Sequence, residues 1–209
     1  MIIDKKYLAF SVAVVVGMLT IWHFREPRVN NWPMVNAPAG DGAILCYGDS
    51  LVAGVGADSE EQKYPRRLGV ELARTVRAVG TPGMTSEDGL KQLLLNPSLR
   101  ADVVVVTLGG NDILARIPLD DTIENLGGIF REFQRRGALV AFTGVDGPFT
   151  SRTKPFKKAC KQNGVILIPS VLAGILDDPG LKSDQIHPNG DGYAVMAQRV
   201  ASILKPYLD

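Results

Sequence analysis

Ser50 is the first residue of this chain whose type and setting could do covalent chemistry. It closes the stretch AILCYGDS (43–50), an apolar run that stops abruptly on small polar residues. A serine hydroxyl becomes a nucleophile when a base lies within hydrogen-bond reach and a carboxylate orients that base. Ser50 is therefore a candidate nucleophile at the end of a buried strand, although Gly-Asp-Ser by itself is also a common turn.

Few histidines of this chain could act as the base that activates Ser50. The chain contains two, and His23 lies near the end of an apolar N-terminal run, which leaves His187 as the one histidine outside that run. His187 stands in SDQIHPNGDG, three residues after Asp184, and residues i and i+3 of a turn face the same way. We therefore predict that Ser50, His187 and Asp184 form a catalytic triad, with Asp184 holding the imidazole from within one loop.

Acyl transfer also needs hydrogen-bond donors directed at the oxyanion that develops on the substrate carbonyl. Three candidate donors are the backbone N–H of Ser50, the N–H of Gly83 in GTPGMTS, and the side-chain amide of Asn111 in LGGNDI. Two glycines allow the chain to turn directly before Asn111. Ser50, Gly83 and Asn111 are therefore the predicted oxyanion donors.

An apolar stretch, ILARIPL (113–119), follows the segment that contains Asn111. Ile113, Leu114 and Ile117 are predicted to contact the substrate as the wall of an acyl groove, because ligand pockets are lined mainly by hydrophobic side chains. The alternative interpretation is a hydrophobic lead-in to the next helix.

Short apolar runs alternate with longer amphipathic runs from residue 43 onward. The predicted strands cover residues 43–48, 76–80, 102–110, 138–144 and 165–170. The predicted helices cover residues 60–75, 86–95, 119–136, 153–163 and 190–208, with Ser86 as the N-cap of the second helix. Alternating units of this length predict an α/β domain with a parallel sheet and helices on both faces.

The candidate residues all follow strands in this scheme. Ligands of parallel sheets bind beyond the carboxyl ends of the strands, which lie at one edge of the sheet. Ser50 follows the first predicted strand, Gly83 the second and Asn111 the third, and the loop 177–189 with His187 follows the fifth. We expect these residues to meet at that edge.

The N-terminal run YLAFSVAVVVGMLTIWHF, residues 7–24, contains no Asp, Glu, Lys or Arg. As a helix it would be about 27 Å long at about 1.5 Å per residue, close to the thickness of a bilayer core. We predict a transmembrane anchor within residues 1–24 with the N-terminus inside, because Lys5 and Lys6 precede the run. A cleaved signal sequence is the alternative. Residues 25–42, with three prolines, are typical of a linker.

The overall composition argues against several classes of partner. A formal net charge of +1 provides no large basic field, so nucleic acid is not an expected partner. Cys46 and Cys160 lie in apolar segments without a Cys/His cluster, so no metal site is predicted and both are expected to be small buried residues. The predicted mechanism requires no cofactor, and the chain is expected to be a monomer.

Four segments together resemble the sequence blocks of the SGNH (GDSL-type) hydrolase family. They are Gly48-Asp49-Ser50-Leu51, Gly83, Gly109-Gly110-Asn111-Asp112 and Asp184-Gln185-Ile186-His187. Within the family the chain is most similar to the bacterial thioesterase I, lysophospholipase and arylesterase branch. The resemblance covers residues 43–208. It implies a flavodoxin-like three-layer α/β/α fold with a five-stranded parallel sheet, a serine esterase mechanism, and oxyanion donors at Ser50, Gly83 and Asn111.

Residues 43–209 are accordingly expected to form a domain that cleaves carboxylic ester or thioester bonds of small-molecule or lipid substrates through an acyl-enzyme. One alternative is a carbohydrate O-acetylesterase acting on cell-envelope glycans, and another is a binding module that uses the same fold without turnover. With an anchor, the catalytic domain is expected outside the bacterial cytoplasmic membrane, facing the periplasm or the exterior. With a cleaved signal sequence the protein is expected to be secreted.

Overall fold

The computed structural model describes residues 30–37, 42–145 and 152–208. Contacts divide the chain into two compact units, Met1–Asn31 and Trp32–Asp209, and every described helix and strand belongs to the second unit. The predicted membrane segment 7–24 lies outside the described residues. Among the residues that are described, no helix is both long enough and apolar enough to cross a bilayer.

Five parallel strands form one sheet in the described part of the chain, which confirms the predicted α/β class. The strands are β1 (Ile44–Gly48), β2 (Val76–Gly80), β3 (Val103–Thr107), β4 (Leu139–Thr143) and β5 (Ile166–Ile168). Their order across the sheet is β2-β1-β3-β4-β5, the flavodoxin-like order of doubly wound sheets. The direction of winding changes between β1 and β3, so a ligand is expected beyond the carboxyl ends of these two strands.

Helices connect the strands and cover both faces of the sheet. They are α1 (Ser50–Ala53), α2 (Tyr64–Leu72), α3 (Ser86–Leu95), α4 (Gly110–Leu114), α5 (Leu119–Arg135), α6 (Thr153–Asn163) and α7 (Gly190–Leu204), with short 3-10 helices at Glu60–Gln62 and Lys205–Tyr207. Leu68 of α2 and Met196 of α7 belong to the core on one face. Leu93 of α3, Phe130 of α5 and Phe156 of α6 belong to the core on the other face.

The sheet between these two cores is buried throughout its centre. Every residue of β1, β3 and β4 is buried, which accounts for their continuous apolar composition. The sheet also separates the two cysteines, because Cys46 belongs to the first core and Cys160 to the second. Both are buried, as predicted from their apolar surroundings, and both thiols are free.

Part of the predicted linker packs on the fold. Trp32 is largely buried, and its Nε1–H donates to the carbonyl of Val165 at 3.0 Å. The side-chain amide of Asn36 donates to the carbonyls of Gln134 and Ala138 at 2.9 and 3.0 Å. The compact unit therefore begins at Trp32, ahead of the predicted domain start.

The prediction of one continuous helix over residues 60–75 is wrong. Lys63, with φ −64° and ψ 142°, is extended and separates the 3-10 helix from α2. Pro65 lies in the first turn of α2, where its missing N–H leaves no hydrogen bond unmade. The helix ends at Leu72, and its C-cap Ala73 adopts a left-handed φ of 52° and donates its N–H to the carbonyl of Gly69.

The prediction of Ser86 as the N-cap of α3 is also wrong, because Thr85 occupies that position. The hydroxyl of Thr85 accepts the N–H of Asp88 at 3.2 Å, and the carboxylate of Asp88 accepts the N–H of Thr85 at 3.2 Å. This reciprocal capping box fixes the start of the helix. Ser86 is the buried first residue of α3 instead.

Candidate active site

The turn after β1 presents Ser50 at the carboxyl edge of the sheet. Gly48 is required in this strand, because a Cβ atom there would lie 2.0 Å from the carbonyl oxygen of Thr107 in β3. Asp49 caps α1, since its Oδ1 accepts the N–H of Leu51 at 3.0 Å. The nucleophile candidate is therefore the first residue of a short helix that begins where a buried strand ends.

Ser50, His187 and Asp184 form one hydrogen-bonded chain. Nε2 of His187 lies 2.9 Å from Oγ of Ser50, and Nδ1 of His187 lies 2.7 Å from Oδ2 of Asp184. General-base activation of a serine uses a hydroxyl, an imidazole and a carboxylate in this order. The fold thus brings the three predicted residues together, although Ser50 and His187 are 137 positions apart in the chain.

Asp184 is held by its own turn. Its Oδ1 accepts the N–H groups of Ile186 and His187, both at 2.8 Å. The side-chain hydrogen bond from His187 is the main cause that lowers the pKa of the Asp184 carboxyl, and the backbone bonds add to it. The ionised carboxylate favours the tautomer that carries its proton on Nδ1, which leaves the lone pair of Nε2 facing the serine hydroxyl.

The loop that carries His187 is braced at both ends. Lys182 and Pro188 pair as an antiparallel bridge, and the N–H of Ser183 donates to the carbonyl of His187 at 3.0 Å. Gly56 lies so close to this loop that a Cβ atom there would be 2.2 Å from Oγ of Ser183. A side chain at position 56 would therefore displace the loop and the imidazole it carries.

Gly83 lies in an exposed turn after β2. Pro82 and Gly83 are the central residues of this turn, which is closed by the N–H of Met84 donating to the carbonyl of Thr81 at 3.1 Å. Gly83 has a φ of 82°, as the third position of a type II turn requires, and glycine adopts this value without strain. A Cβ atom at Gly83 would meet no described atom within 4 Å, so conformation rather than crowding accounts for the glycine.

Asn111 and Asp112 tie this turn to the end of β3. Nδ2 of Asn111 donates to the carbonyl of Met84 at 3.0 Å, which uses one of its two amide hydrogens. Asp112 is fully buried and accepts the backbone N–H of Ser86 at 2.9 Å as well as the Ser86 hydroxyl. These cross-links hold the Gly83 turn beside Asn111.

Asp112 was not among the predicted site residues. Its signal in the sequence is a carboxylate that directly follows Asn111 at the end of a valine-rich strand. A charge in that position is rarely buried unless a partner satisfies it, so a cross-element hydrogen bond could have been expected there.

An apolar cleft with a cavity volume of about 100 Å³ opens beside Ser50 and His187. The hydrophobic side chains that line it are Leu51, Ile113, Leu114, Val145, Leu172, Leu176 and Ile186. Leu114 is 59% exposed and Ile186 43% exposed, so both stand at the rim. The cleft can therefore receive a small apolar group next to the hydroxyl.

Two of the three predicted substrate contacts, Ile113 and Leu114, line this cleft, and Ile117 is not among its lining residues. Arg116 adopts a left-handed φ of 56°, and the N–H of Ile117 returns to the carbonyl of Asp112 at 2.9 Å. The chain thus turns back before Ile117.

Sequence reasoning missed the remaining apolar walls of the cleft. Leu51 follows Ser50, Val145 follows β4, Leu172 and Leu176 follow β5, and Ile186 directly precedes His187. Their positions after strands were the available signal, but nothing in their residue types distinguishes them from core residues.

The described residues contain no group of three or more His, Cys, Asp or Glu side chains arranged to hold a metal ion. The polar side chains near Ser50 are hydrogen-bonded instead: His187 to Ser50 and Asp184, and Asp49 and Asn111 to backbone groups.

Comparison with known proteins identifies the family. A family model described as GDSL-like lipase/acylhydrolase matches residues 46–195, well over half of the chain. Esterase TesA of Pseudomonas aeruginosa is 29% identical over 183 residues, which cover 79% of this chain and 89% of that protein.

Solved structures share the fold. A crystal structure of TesA matches with a TM-score of 0.72 at 28% identity, covering 79% of this chain and 99% of that one. The psychrotrophic esterase EstA from Pseudoalteromonas sp. matches with a TM-score of 0.71 at 22% identity, covering 79% and 98%. The chain therefore belongs to the GDSL-like lipase/acylhydrolase family, in the esterase and thioesterase branch of the SGNH hydrolases, and is an enzyme that hydrolyses esters.

Proposed function

We propose that this enzyme is a serine esterase or thioesterase that cleaves its substrate through an acyl-enzyme on Ser50. The observation that carries the proposal is the hydrogen-bonded chain of Ser50, His187 and Asp184, with distances of 2.9 and 2.7 Å. It supplies a nucleophile, a base and an orienting carboxylate beside an apolar cleft.

In the acylation step, Oγ of Ser50 attacks the substrate carbonyl carbon while Nε2 of His187 takes the hydroxyl proton. The imidazolium that forms keeps its Nδ1–H bonded to Asp184, whose negative charge stabilises it. His187 then gives its Nε2 proton to the departing alcohol or thiol, which leaves the acyl group on Ser50.

The developing oxyanion accepts hydrogen bonds from the N–H groups of Ser50 and Gly83 and from the amide of Asn111. Asn111 is suited to this task because its amide is already aligned by the bond to Met84 and keeps a second hydrogen for the substrate. The cross-links to α3 bring the Gly83 turn to the same edge, so the donors need little reorganisation during the reaction.

In the deacylation step, His187 removes a proton from a water molecule that attacks the acyl carbonyl, and then returns it to Oγ of Ser50. The same donors hold the second oxyanion. The steps as proposed use only side chains and backbone groups of the protein, the substrate and water.

The volume of the cleft limits the length of the acyl group that can bind inside it. Its volume of about 100 Å³ is below the roughly 300–1,000 Å³ of drug-sized ligand pockets, which favours a short acyl group inside the cleft. A longer chain would have to continue over the exposed side chains of Leu114 and Ile186 at the rim. A carbohydrate O-acetylesterase is the second candidate, because an acetyl group suits the small volume.

A series of p-nitrophenyl esters from acetate to long-chain acyl groups tests the proposal on the full-length chain, with Ser50→Ala as the control. We expect Ser50-dependent hydrolysis that extends beyond acetate for a general esterase. Strict preference for acetate would favour the O-acetylesterase. Equal hydrolysis by the wild-type protein and Ser50→Ala would overturn both.

We further propose that the apolar run of residues 7–24 anchors this enzyme in the bacterial cytoplasmic membrane, with the catalytic domain outside. Its length and its freedom from charge support the assignment. Carbonate extraction and protease treatment of intact spheroplasts test it: the chain should stay in the membrane and be digested from outside. Recovery of a shorter soluble protein whose N-terminus lies beyond residue 24 would show secretion by signal cleavage instead.

A further inference from the structure

We propose that Asp49 is a positioning residue for the reaction at Ser50. Its buried carboxylate determines which amide of α1 is available to the oxyanion, and its negative charge stabilises the transition state. The inference rests on the proposed function, because it gives Asp49 this part only if Ser50 is the nucleophile.

The cap made by Asp49 determines which N–H of α1 stays available. The first N–H groups of a helix have no intrahelical partners. Oδ1 of Asp49 takes the N–H of Leu51 at 3.0 Å, and the N–H of Asp49 itself donates to the carbonyl of Thr107 at 3.2 Å. The N–H of Ser50, between these two, is left for a substrate oxygen in the cleft.

The surroundings of Asp49 make its charge sensitive to pH. It is 3% exposed and lines the cleft, and burial raises the pKa of its carboxyl from 3.8 to about 6. The hydrogen bond from Leu51 and the charge of His187 oppose this rise. The titratable groups that face Asp49 are His187 from the loop before α7, Asp112 from α4 and Tyr193 from α7.

The ionised carboxylate of Asp49 stabilises the positive charge that forms on His187 during the reaction. Proton transfer makes His187 an imidazolium, and the carboxylate of Asp49 attracts it, which is the reciprocal of the lowering that His187 exerts on the pKa of Asp49. A charged acceptor also strengthens the cap on Leu51. The oxyanion, in contrast, is stabilised by its own donors. We therefore expect turnover to rise as Asp49 loses its proton.

The test measures kcat and KM of the full-length wild-type protein, Asp49→Asn and Asp49→Ala between pH 5 and 8 on p-nitrophenyl acetate. Asparagine keeps an oxygen for the cap on Leu51 but carries no charge. The ratio of kcat/KM between the wild-type protein and Asp49→Asn should rise from about 1 at pH 5 to about 5 at pH 8. Asp49→Ala should lose about fivefold more than Asp49→Asn, in kcat rather than KM, because the cap is also lost.

Asp102→Asn is the matched control. The carboxylate of Asp102 also accepts a backbone N–H, that of Ala43 at 3.0 Å, but it lies before β3, at the opposite end of the strands. The ratio of kcat/KM between the wild-type protein and Asp102→Asn should not change with pH. A ratio for Asp49→Asn that is equally insensitive to pH, or equal kcat values for the two Asp49 variants, would overturn the inference.

Thermal unfolding provides a readout that does not depend on catalysis. Burial raises the folded-state pKa of Asp49 above its unfolded value, so the fold favours the protonated carboxyl. The contribution of this protonation to the free energy of unfolding is fully present below about pH 4 and is lost as pH rises through about 6. The Tm of the wild-type protein relative to Asp49→Asn should therefore fall over this range. A difference in Tm between the wild-type protein and Asp49→Asn that stays constant with pH would contradict the presence of a buried, ionisable carboxyl at Asp49.

The failures of the two proposals look different. Wild-type protein without Ser50-dependent hydrolysis would overturn the proposed function and this inference with it. Normal Ser50-dependent hydrolysis with a pH-insensitive ratio would overturn the role of Asp49 alone.

Discussion

The two sides of the active site are built differently. On the strand side, Ser50 and Asn111 lie in the short helices that follow the buried strands β1 and β3, and the neighbouring carboxyl of Asp112 is 0% exposed. On the loop side, the side chain of Asp184 is 51% exposed and bonds Ile186 and His187 of its own turn. The first side takes its geometry from the core, and the second takes it from short-range hydrogen bonds.

The difference indicates how each side will respond to substitution. The strand side is joined across elements, since Asn111 bonds Met84 and Asp112 bonds Ser86, so a change there affects stability and catalysis together. The loop side meets the strand side in the contact between His187 and Ser50. We expect changes on the loop side to alter catalysis with little effect on the fold.

His187→Ala is the substitution with the largest expected effect, and it lies on the loop side. Loss of the base should lower kcat/KM by about 10⁴-fold or more, with a Tm close to that of the wild-type protein. Initial rates and thermal unfolding measure the two quantities. A variant that keeps a tenth of the activity, or one that is strongly destabilised, would contradict the division between the two sides.

Asn111→Ala tests the strand side and should lower kcat by about 10²- to 10³-fold with little change in KM, because it removes a donor that acts in the transition state. It should also lower Tm, since the bond to Met84 is lost. Asn125→Ala is the matched control, because the amide of Asn125 bonds Ser86 at 3.3 Å outside the cleft. Equal losses of kcat in both variants would indicate a structural effect alone.

Asp184→Asn should have a smaller effect, lowering kcat by about 10- to 10²-fold, because the orienting carboxylate contributes less than the base and is partly exposed here. The hydrogen bond from His187 lowers the pKa of Asp184, so the carboxylate is ionised throughout the assay range. The loss should therefore be the same at about pH 7.5 and about pH 8.5, where imidazole bases are neutral. A loss that differs between these two pH values would be inconsistent with this account.

Asp112→Asn should affect stability more than rate. It weakens a buried acceptor of two hydrogen bonds from Ser86, so urea unfolding should show a loss of about 1–3 kcal/mol. The rate should fall only about threefold, through a small displacement of the Gly83 turn. Asp88→Asn, at the exposed capping box of α3, should cost less than half as much stability. Equal losses of unfolding free energy in the two variants would show that the buried hydrogen bonds between Asp112 and Ser86 contribute no more to stability than the exposed capping box.

The sequence predicted the strand side well because residue type and topology agree there. The five apolar runs end where strands end, so Ser50, Gly83 and Asn111 could be assigned to one edge without knowing the order of the strands. The contact between His187 and Ser50 could be proposed because the other histidine of the chain, His23, lies in the apolar N-terminal run.

Other features could not be predicted from the sequence. Helices α1 and α4 have four and five residues, too few to show a helical period. The break at Lys63 and the left-handed turns at Ala73 and Arg116 depend on packing rather than on residue type. The left-handed turn at Arg116 is also why Ile117 leaves the cleft although its apolar type resembles that of Ile113.

The most direct test of the account is covalent labelling of the hydroxyl that it makes the nucleophile. The full-length protein is treated with a fluorophosphonate probe, digested and analysed by mass spectrometry, beside Ser50→Ala and His187→Ala. We predict one adduct on Ser50 in the wild-type protein, none on the Ser50→Ala variant, and labelling slowed by at least about 10²-fold in His187→Ala. An adduct on another residue, or labelling of Ser50 at the same rate without His187, would contradict it.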